Sequence, residues 1–251
     1  MVPFAGWEMP VQYEGVISEH RAVRADCGVF DVSHMGELEV EGPRATELLQ
    51  ATLSNDLEKI APGEAQYTLL TNDRGGIVDD LIVYRLEEFR YLLIVNAANR
   101  ETDFGWFKER EIRGSDVRDA SDEYALLAVQ GPRAIERLGL PEAKQFTFAE
   151  GGIDGMQCMV NRTGYTGEAG CEILVMAEDA GDLGGQADMR EAQNRTQLLE
   201  IHDVIASHVD EIIGEFYDHL LQFEELRRIL SDPKLVERLK GSQRQYLLSL
   251  G

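Results

Sequence analysis

The sequence predicts an α+β domain, its mixed sheets packed by helices, followed by an all-α segment. Three observations carry this reading. Short apolar runs of strand length recur through residues 1–183, with helical stretches between them. The strand signals stop near Gly184-Gly185. Beyond that point apolar residues repeat at three and four positions, the spacing of one helix face.

In chain order, residues 15–25 carry Val16, Ile17, His20 and Val23 at helical spacing. Residues 36–40 form the first expected strand. A helix over 44–53 follows Gly42-Pro43, where proline suits a first helical turn. Strands are expected at 67–70, 81–85 and 91–95, then a helix over 99–110. A strand at 124–129 and a helix over 132–138 come next, then strands at 156–161 and 171–175. The polar, glycine-bearing stretch 162–167 between those last two reads as a hairpin-like connection. After Gly185, Leu198, Ile201, Ile205, His208, Val209, Ile212, Phe216, Tyr217, Leu220 and Leu221 describe one long amphipathic helix or two in sequence. Ser231-Asp232-Pro233 starts another, with a capping residue before proline.

The 251 residues carry a formal charge of -22, with 46 acidic against 24 basic side chains. A nucleic acid would be repelled by most of such a surface, so none is expected as partner. Only five of the basic residues are lysine. An acidic, lysine-poor surface suits high salt, where self-repulsion is screened, and points to a halophilic source. Cys27, Cys158 and Cys171 form no Cys-x-x-Cys pair, so no metal site is expected and reduced thiols in a cytoplasm are. No stretch reaches the roughly 18 apolar residues of a membrane span. The opening Met1-Val-Pro-Phe-Ala-Gly-Trp7 lacks a basic region followed by an apolar one, so no signal peptide is expected.

The most informative run is Gly75-Gly-Ile-Val-Asp-Asp-Leu-Ile-Val-Tyr84. Side chains alternate faces along a strand, so Asp79 and Asp80 point opposite ways and only one can face a core or pocket. A carboxylate among Ile77, Val78, Leu81, Ile82 and Val83 is costly without a cationic or hydrogen-bond-donating partner. Such an acid suits ligand binding, although aspartate in a turn before a strand is also ordinary.

Five further motifs accompany this run: Phe4-Ala-Gly-Trp-Glu-Met-Pro10, Gly28-Val-Phe-Asp-Val-Ser-His-Met-Gly36, Val95-Asn-Ala-Ala-Asn99, Leu127-Ala-Val-Gln-Gly-Pro132 and Arg162-Thr-Gly-Tyr-Thr-Gly-Glu168. In this order they resemble the aminomethyltransferase, or T-protein, of the glycine cleavage system, over residues 1–183. The resemblance implies a folate-binding-type domain. It also implies transfer of a one-carbon unit from the aminomethyl-lipoyl arm of the H-protein to tetrahydrofolate, with release of ammonia. Tetrahydrofolate enters as a substrate, and the lipoylated H-protein is the implied partner. The family's middle segment and C-terminal barrel have no match here, so the domain is expected to be incomplete and its turnover impaired. Exposed core surface would then favour self-association.

By the motif match, Asp80 is the implied catalytic acid, orienting the folate nitrogen nucleophile and stabilising iminium-like charge. Glu172 is the implied pterin-holding carboxylate; one carboxylate can accept from two adjacent N–H groups at once. Tyr67 and Tyr165 match folate-contacting positions. Asn96 would offer an amide, and Met35 an apolar wall. Tyr84 reads as a strand-packing residue. His34 titrates near neutrality when unperturbed, yet no acid or nucleophile sits at motif spacing, so no catalytic role is assigned to it.

A linker at 184–187 leads to a second resemblance, over residues 188–250. Phe216-Tyr-Asp-His-Leu-Leu221, Leu226-Arg-Arg-Ile-Leu230 and Leu235-Val-Glu-Arg-Leu-Lys-Gly-Ser-Gln-Arg-Gln-Tyr-Leu-Leu-Ser-Leu250 resemble the early helices of protoglobins and globin-coupled sensors. It implies an all-α, globin-like partial domain through residue 251, with Tyr217 on the distal side of a haem. His202, His208 and His219 do not match the proximal position, so haem binding in the usual manner is not expected. The alternatives to the transferase are a haem-based gas-sensor fragment and a non-functional chimera.

Overall fold

A computed structural model describes residues 2–9, 12–153, 155–179 and 240. Contacts divide the chain into two units, one of Val2–Met9 with Ile17–Thr196 and one of Met1, Pro10–Val16 and Gln197–Gly251. Most of the second unit lies outside the described residues, as does the expected globin-like segment, Tyr217 included, apart from Lys240.

In chain order the elements are β1 (Val2–Phe4), β2 (Trp7–Met9), α1 (Val16–Ala25), β3 (Gly28–Asp31), β4 (Gly36–Glu41), α2 (Ala45–Thr52), β5 (Ala65–Thr71), β6 (Ile77–Glu87), β7 (Arg90–Val95), α3 (Arg100–Glu109), β8 (Asp116–Asp119), β9 (Tyr124–Gln130), α4 (Ala134–Arg137), β10 (Phe148–Ile153), β11 (Met156–Asn161) and β12 (Gly170–Met176). Beyond the β1–β2 ribbon they build two five-stranded sheets, ordered β10-β11-β12-β9-β3 and β5-β6-β7-β4-β8. Every ladder in both is antiparallel, where the sequence led us to expect mixed sheets. Short turns join β5 to β6, β6 to β7 and β10 to β11, and such turns can link only antiparallel neighbours. At the β5–β6 turn Asn72 Oδ1 accepts the backbone N–H groups of Arg74 and Gly76, both at 3.0 Å. Gly75 takes the left-handed conformation that this turn needs, with φ +76°.

Alternation along the strands divides the core into three. Ile82 and Tyr84 of β6, Leu92 and Ile94 of β7, Leu126 of β9, Met159 of β11 and Leu174 of β12 meet between the sheets. Their sequence neighbours point outward. Leu81, Val83, Leu93 and Val95 pack under Leu48 and Leu49 of α2 and Phe107 of α3. Val129, Val160, Cys171, Ile173 and Val175 pack with Ala134 of α4. The result is a helix–sheet–sheet–helix stack. All three cysteines are buried and unpaired.

Up to residue 176 the expected strands and helices all occur, with ends displaced by a few residues, and the helices expected after Gly185 lie outside the described residues. β1, β2, β3, β8 and β10 were not expected. β8 is the charged Asp-Val-Arg-Asp and β10 carries Gly151 and Gly152, and both are edge strands. Edges blunted by charge or glycine lack the apolar alternation that marks a strand.

Candidate functional site

The two acids of β6 part company as the alternation requires. Asp79 is buried on the helix-packed side, whereas Asp80 is exposed and shares its face with Ile82 and Tyr84 of the inter-sheet core. Tyr67 Oη, from β5, donates to Asp80 Oδ2 at 3.1 Å. Asn96, just past β7, donates through Nδ2 to the Asp80 carbonyl at 3.0 Å and sits 3.4 Å from Asp80 Oδ1. Partial desolvation and the Asp80 carboxylate both raise the Tyr67 phenol pKa. Met35, half-buried in the turn before β4, packs against the inter-sheet core.

The facing sheet supplies Glu172. It pairs across the ladder with Asn161, and both lie on the inner face with Leu174 and Met159. Glu172 is 1 % exposed and Asn161 0 %, yet none of their four side-chain polar atoms has a hydrogen-bond partner. A buried polar group left so forfeits about 1–3 kcal/mol, so folds rarely keep one without a use for it. Burial raises the Glu172 pKa, and the nearby Thr163 hydroxyl offsets this in part. That hydroxyl is 3.0 Å from Tyr84 Oη and meets neither Glu172 oxygen in hydrogen-bond geometry. Tyr84, 1 % exposed, is a packing residue as expected.

Glu37 of β4 is a third inward acid, fully buried, with neither oxygen partnered. Burial pushes its pKa up to about 8 against the pull of Arg100, and Asp119 adds to the rise. Tyr165, on the loop between β11 and β12, ties these groups together. Its side chain is 58 % exposed, yet surrounding protein raises its phenol pKa, with Glu172, Asp80 and Glu37 contributing in that order. Gln130 secures that loop: its Nε2 lies 3.3 Å from the Thr163 carbonyl, and Thr166 Oγ1 donates to its Oε1 at 3.0 Å. Gly164 passes so close that an added Cβ would stand 2.1 Å from Gln130 Oε1.

The structure thus brings Asp80, Tyr67, Asn96 and Met35 to one end of the first sheet, with Glu172 on the inner face of the second and Tyr165 within reach of both acids. His34 stacks edge-on against Phe4, ring centroids 5.7 Å apart, and burial lowers its pKa. Sequence reasoning missed Glu37, Asn161 and Gln130. A separate open concavity of about 590 Å³, lined by Glu41, Glu87, Phe89, Arg90 and Asp116 among others, lies at the opposite end of the first sheet, away from these acids.

A family model of the GCVT N-terminal domain matches residues 1–186. The chain belongs to this family. In the GCVT family it is 47 % identical over 186 residues to an aminomethyltransferase of Desulforamulus reducens, covering 72 % of this chain and 51 % of that one. It is 48 % identical over 190 residues to an aminomethyltransferase of Bdellovibrio bacteriovorus, covering 73 % and 52 %. The crystal structure of glycine cleavage system aminomethyltransferase T from Bartonella henselae superposes with a TM-score of 0.66 at 39 % identity, over 73 % of this chain and 52 % of that one. The chain therefore spans about half the length of the curated relatives it matches. A protoglobin family model matches residues 188–251. Among the described residues no helix is long and apolar enough to cross a membrane.

Proposed function

We propose that this GCVT-family chain binds tetrahydrofolate between its two sheets, as the folate-binding part of an aminomethyltransferase of the glycine cleavage system. The buried, unpartnered pair Glu172 and Asn161 on the face opposite Asp80 carries the reading. A pterin offers adjacent N–H donors that one carboxylate accepts together, and Asn161 beside it can both donate and accept. Tyr67 and Tyr165 supply flat rings, and Met35 an apolar wall. Asp80 orients the folate nitrogen that attacks the methylene carbon of the aminomethyl-lipoyl arm on the H-protein. Its charge stabilises the iminium-like carbon as ammonia leaves. Folate N5 and N10 then share the methylene group. Of their two protons, one leaves with ammonia and one restores the lipoyl thiol. Identity near 47 % with curated aminomethyltransferases supports this chemistry.

The test is a tetrahydrofolate titration of the full chain in high salt beside Glu172→Ala. Saturable binding that the substitution weakens by about tenfold or more is expected, the worth of hydrogen bonds to a charged group. No binding to the folded protein would overturn the reading.

We further propose the division 1–183, 184–187 and 188–251, its last part a globin-like helical piece with Tyr217 at the distal position. The protoglobin match supports this. A haemin Soret band shifted and sharpened by the full chain, and altered in Tyr217→Phe, would extend that reading to haem. Its absence would confine the likeness to the helices.

A further inference from the structure

On the other face of β6 lies a cluster that the proposed chemistry leaves unused. Asp79 is buried towards the start of α3, and Asp103, in that helix's first turn, is fully buried. Asp79 Oδ1 accepts from Asn96 Nδ2 at 3.0 Å and from Asn99 Nδ2 at 2.9 Å. Its Oδ2 and both Asp103 oxygens meet no donor. Asn96 and Asn99 each stand immediately before a helical turn, where an asparagine side chain ordinarily accepts a backbone N–H. Neither does so here, and both amides go to Asp79 instead.

Asp103 lies one turn beyond Asn99, whose amide bonds Asp79, and the two carboxyl groups are within hydrogen-bonding reach of each other. Two buried carboxyl groups so placed cannot both carry charge, and one proton between them supplies the missing donor. We propose that Asp79 and Asp103 form an acid pair sharing one proton, and that this pair is a positioning unit that fixes the Asn96 amide against Asp80. The same Asn96 Nδ2 that meets Asp79 also meets the Asp80 carbonyl at 3.0 Å, so the inner acid sets the outer one's surroundings.

The electrostatics agree. Burial pushes the Asp103 pKa up to about 8, and the Asp79 hydrogen bond and the charges of Asp79 and Asp80 add to it. Among the described residues no cation offsets them. Arg100, at the start of α3, is bonded to Asp119 and Asp122. Lys108 and Arg110, near its end, pair with Glu111, Asp116 and Asp73. The pair therefore keeps its shared proton at neutral pH.

The consequence for ligand binding rests on the tetrahydrofolate reading; the pair itself does not. The test uses the full chain labelled with ¹⁵N at asparagine. Wild type, Asp103→Asn and Asp103→Leu are compared, with Asn96→Asp and Asn99→Asp to assign the side-chain amide signals. In wild type these signals shift with pH, with a midpoint near 8. In Asp103→Asn, where an amide donor replaces the acid proton, they keep their neutral-pH positions and stop titrating. In Asp103→Leu they move or broaden. Tetrahydrofolate affinity follows the same pattern, falling above pH 8 in wild type but not in Asp103→Asn. Wild-type signals that stay flat between pH 6 and 10 would overturn the pair, and so would an Asp103→Leu spectrum matching wild type. Titrating signals without any tetrahydrofolate binding would keep the pair and remove only the folate reading.

Discussion

Glu37 and Glu39 stand two residues apart on β4, on the same inward face, and meet opposite surroundings. Glu39 accepts from Arg118 Nη2 at 2.8 Å and from Tyr124 Oη at 3.0 Å, and Arg90 lies 4.0 Å away. Tyr124 comes from the other sheet, so this end of the stack is tied across by a satisfied carboxylate. Glu37, one step towards Asp80, has no partner on either oxygen. One end uses its buried acid to hold the sheets together. The other keeps Glu37, Glu172 and Asn161 unsatisfied, at a cost in stability that structure alone does not recover.

Removing Arg118 should break this contrast most strongly. Arg118→Ala leaves Glu39 buried without its main cation and should destabilise the chain by about 1–3 kcal/mol, read from urea unfolding. The matched Glu37→Gln removes a buried ionisable group that had no partner to lose. It should leave stability unchanged or raise it. An equal loss from both variants would show that Glu37 has a structural partner after all.

The pH dependence comes next. Glu37 and Asp103 hold their protons in the folded chain up to about 8, whereas their ordinary values are 4.5 and 3.8. Between those limits the folded state binds more protons than the unfolded state, so stability falls as pH rises. The slope approaches about 1.4 kcal/mol per pH unit for each proton. Carboxylates lowered by arginine, such as Asp26 and Glu136, act only in more acidic solution. His34, lowered by burial, favours the folded state as pH rises towards its ordinary 6.5 and adds nothing further above it. The clean window is thus pH 6.5 to 8, where the unfolding midpoint should drop. Glu172, also raised by burial, adds to the drop with the same sign, and Glu37→Gln should remove part of it but not all. A midpoint that rises across the window would refute the assignment of either proton.

The contrast between the two ends was only partly legible beforehand. The opposite facing of Asp79 and Asp80 follows from strand period alone, and β11 falls where its apolar run does. Glu37 was hidden because Glu37-Leu-Glu-Val-Glu41 alternates acid with apolar residue, the pattern of a strand with one wet face. Here a second sheet covers that face, and nothing local encodes the cover. Asn161 was hidden for the same reason: its partner Glu172 lies eleven positions on, and only the ladder brings them together. Asp103 reads as an ordinary first-turn acid, favoured there by the helix dipole. Its burial against Asp79 is a tertiary fact.

Two tyrosines give the smallest and sharpest comparison. Tyr124 donates to Glu39 at the tied end, and Tyr67 donates to Asp80 at the open end. Tyr124→Phe takes one donor from a buried carboxylate that keeps Arg118, so it should cost about 1 kcal/mol and leave tetrahydrofolate affinity unchanged. Tyr67→Phe takes a donor from an exposed carboxylate that water can serve, so stability should move by less than about 0.5 kcal/mol. Its effect should fall on affinity, because Asp80 and the ring beside it face the proposed ligand. If Tyr67→Phe weakened the fold and spared binding, Asp80 would belong with Glu39 among the structural acids, and the functional weight would shift to Glu172 on the facing sheet.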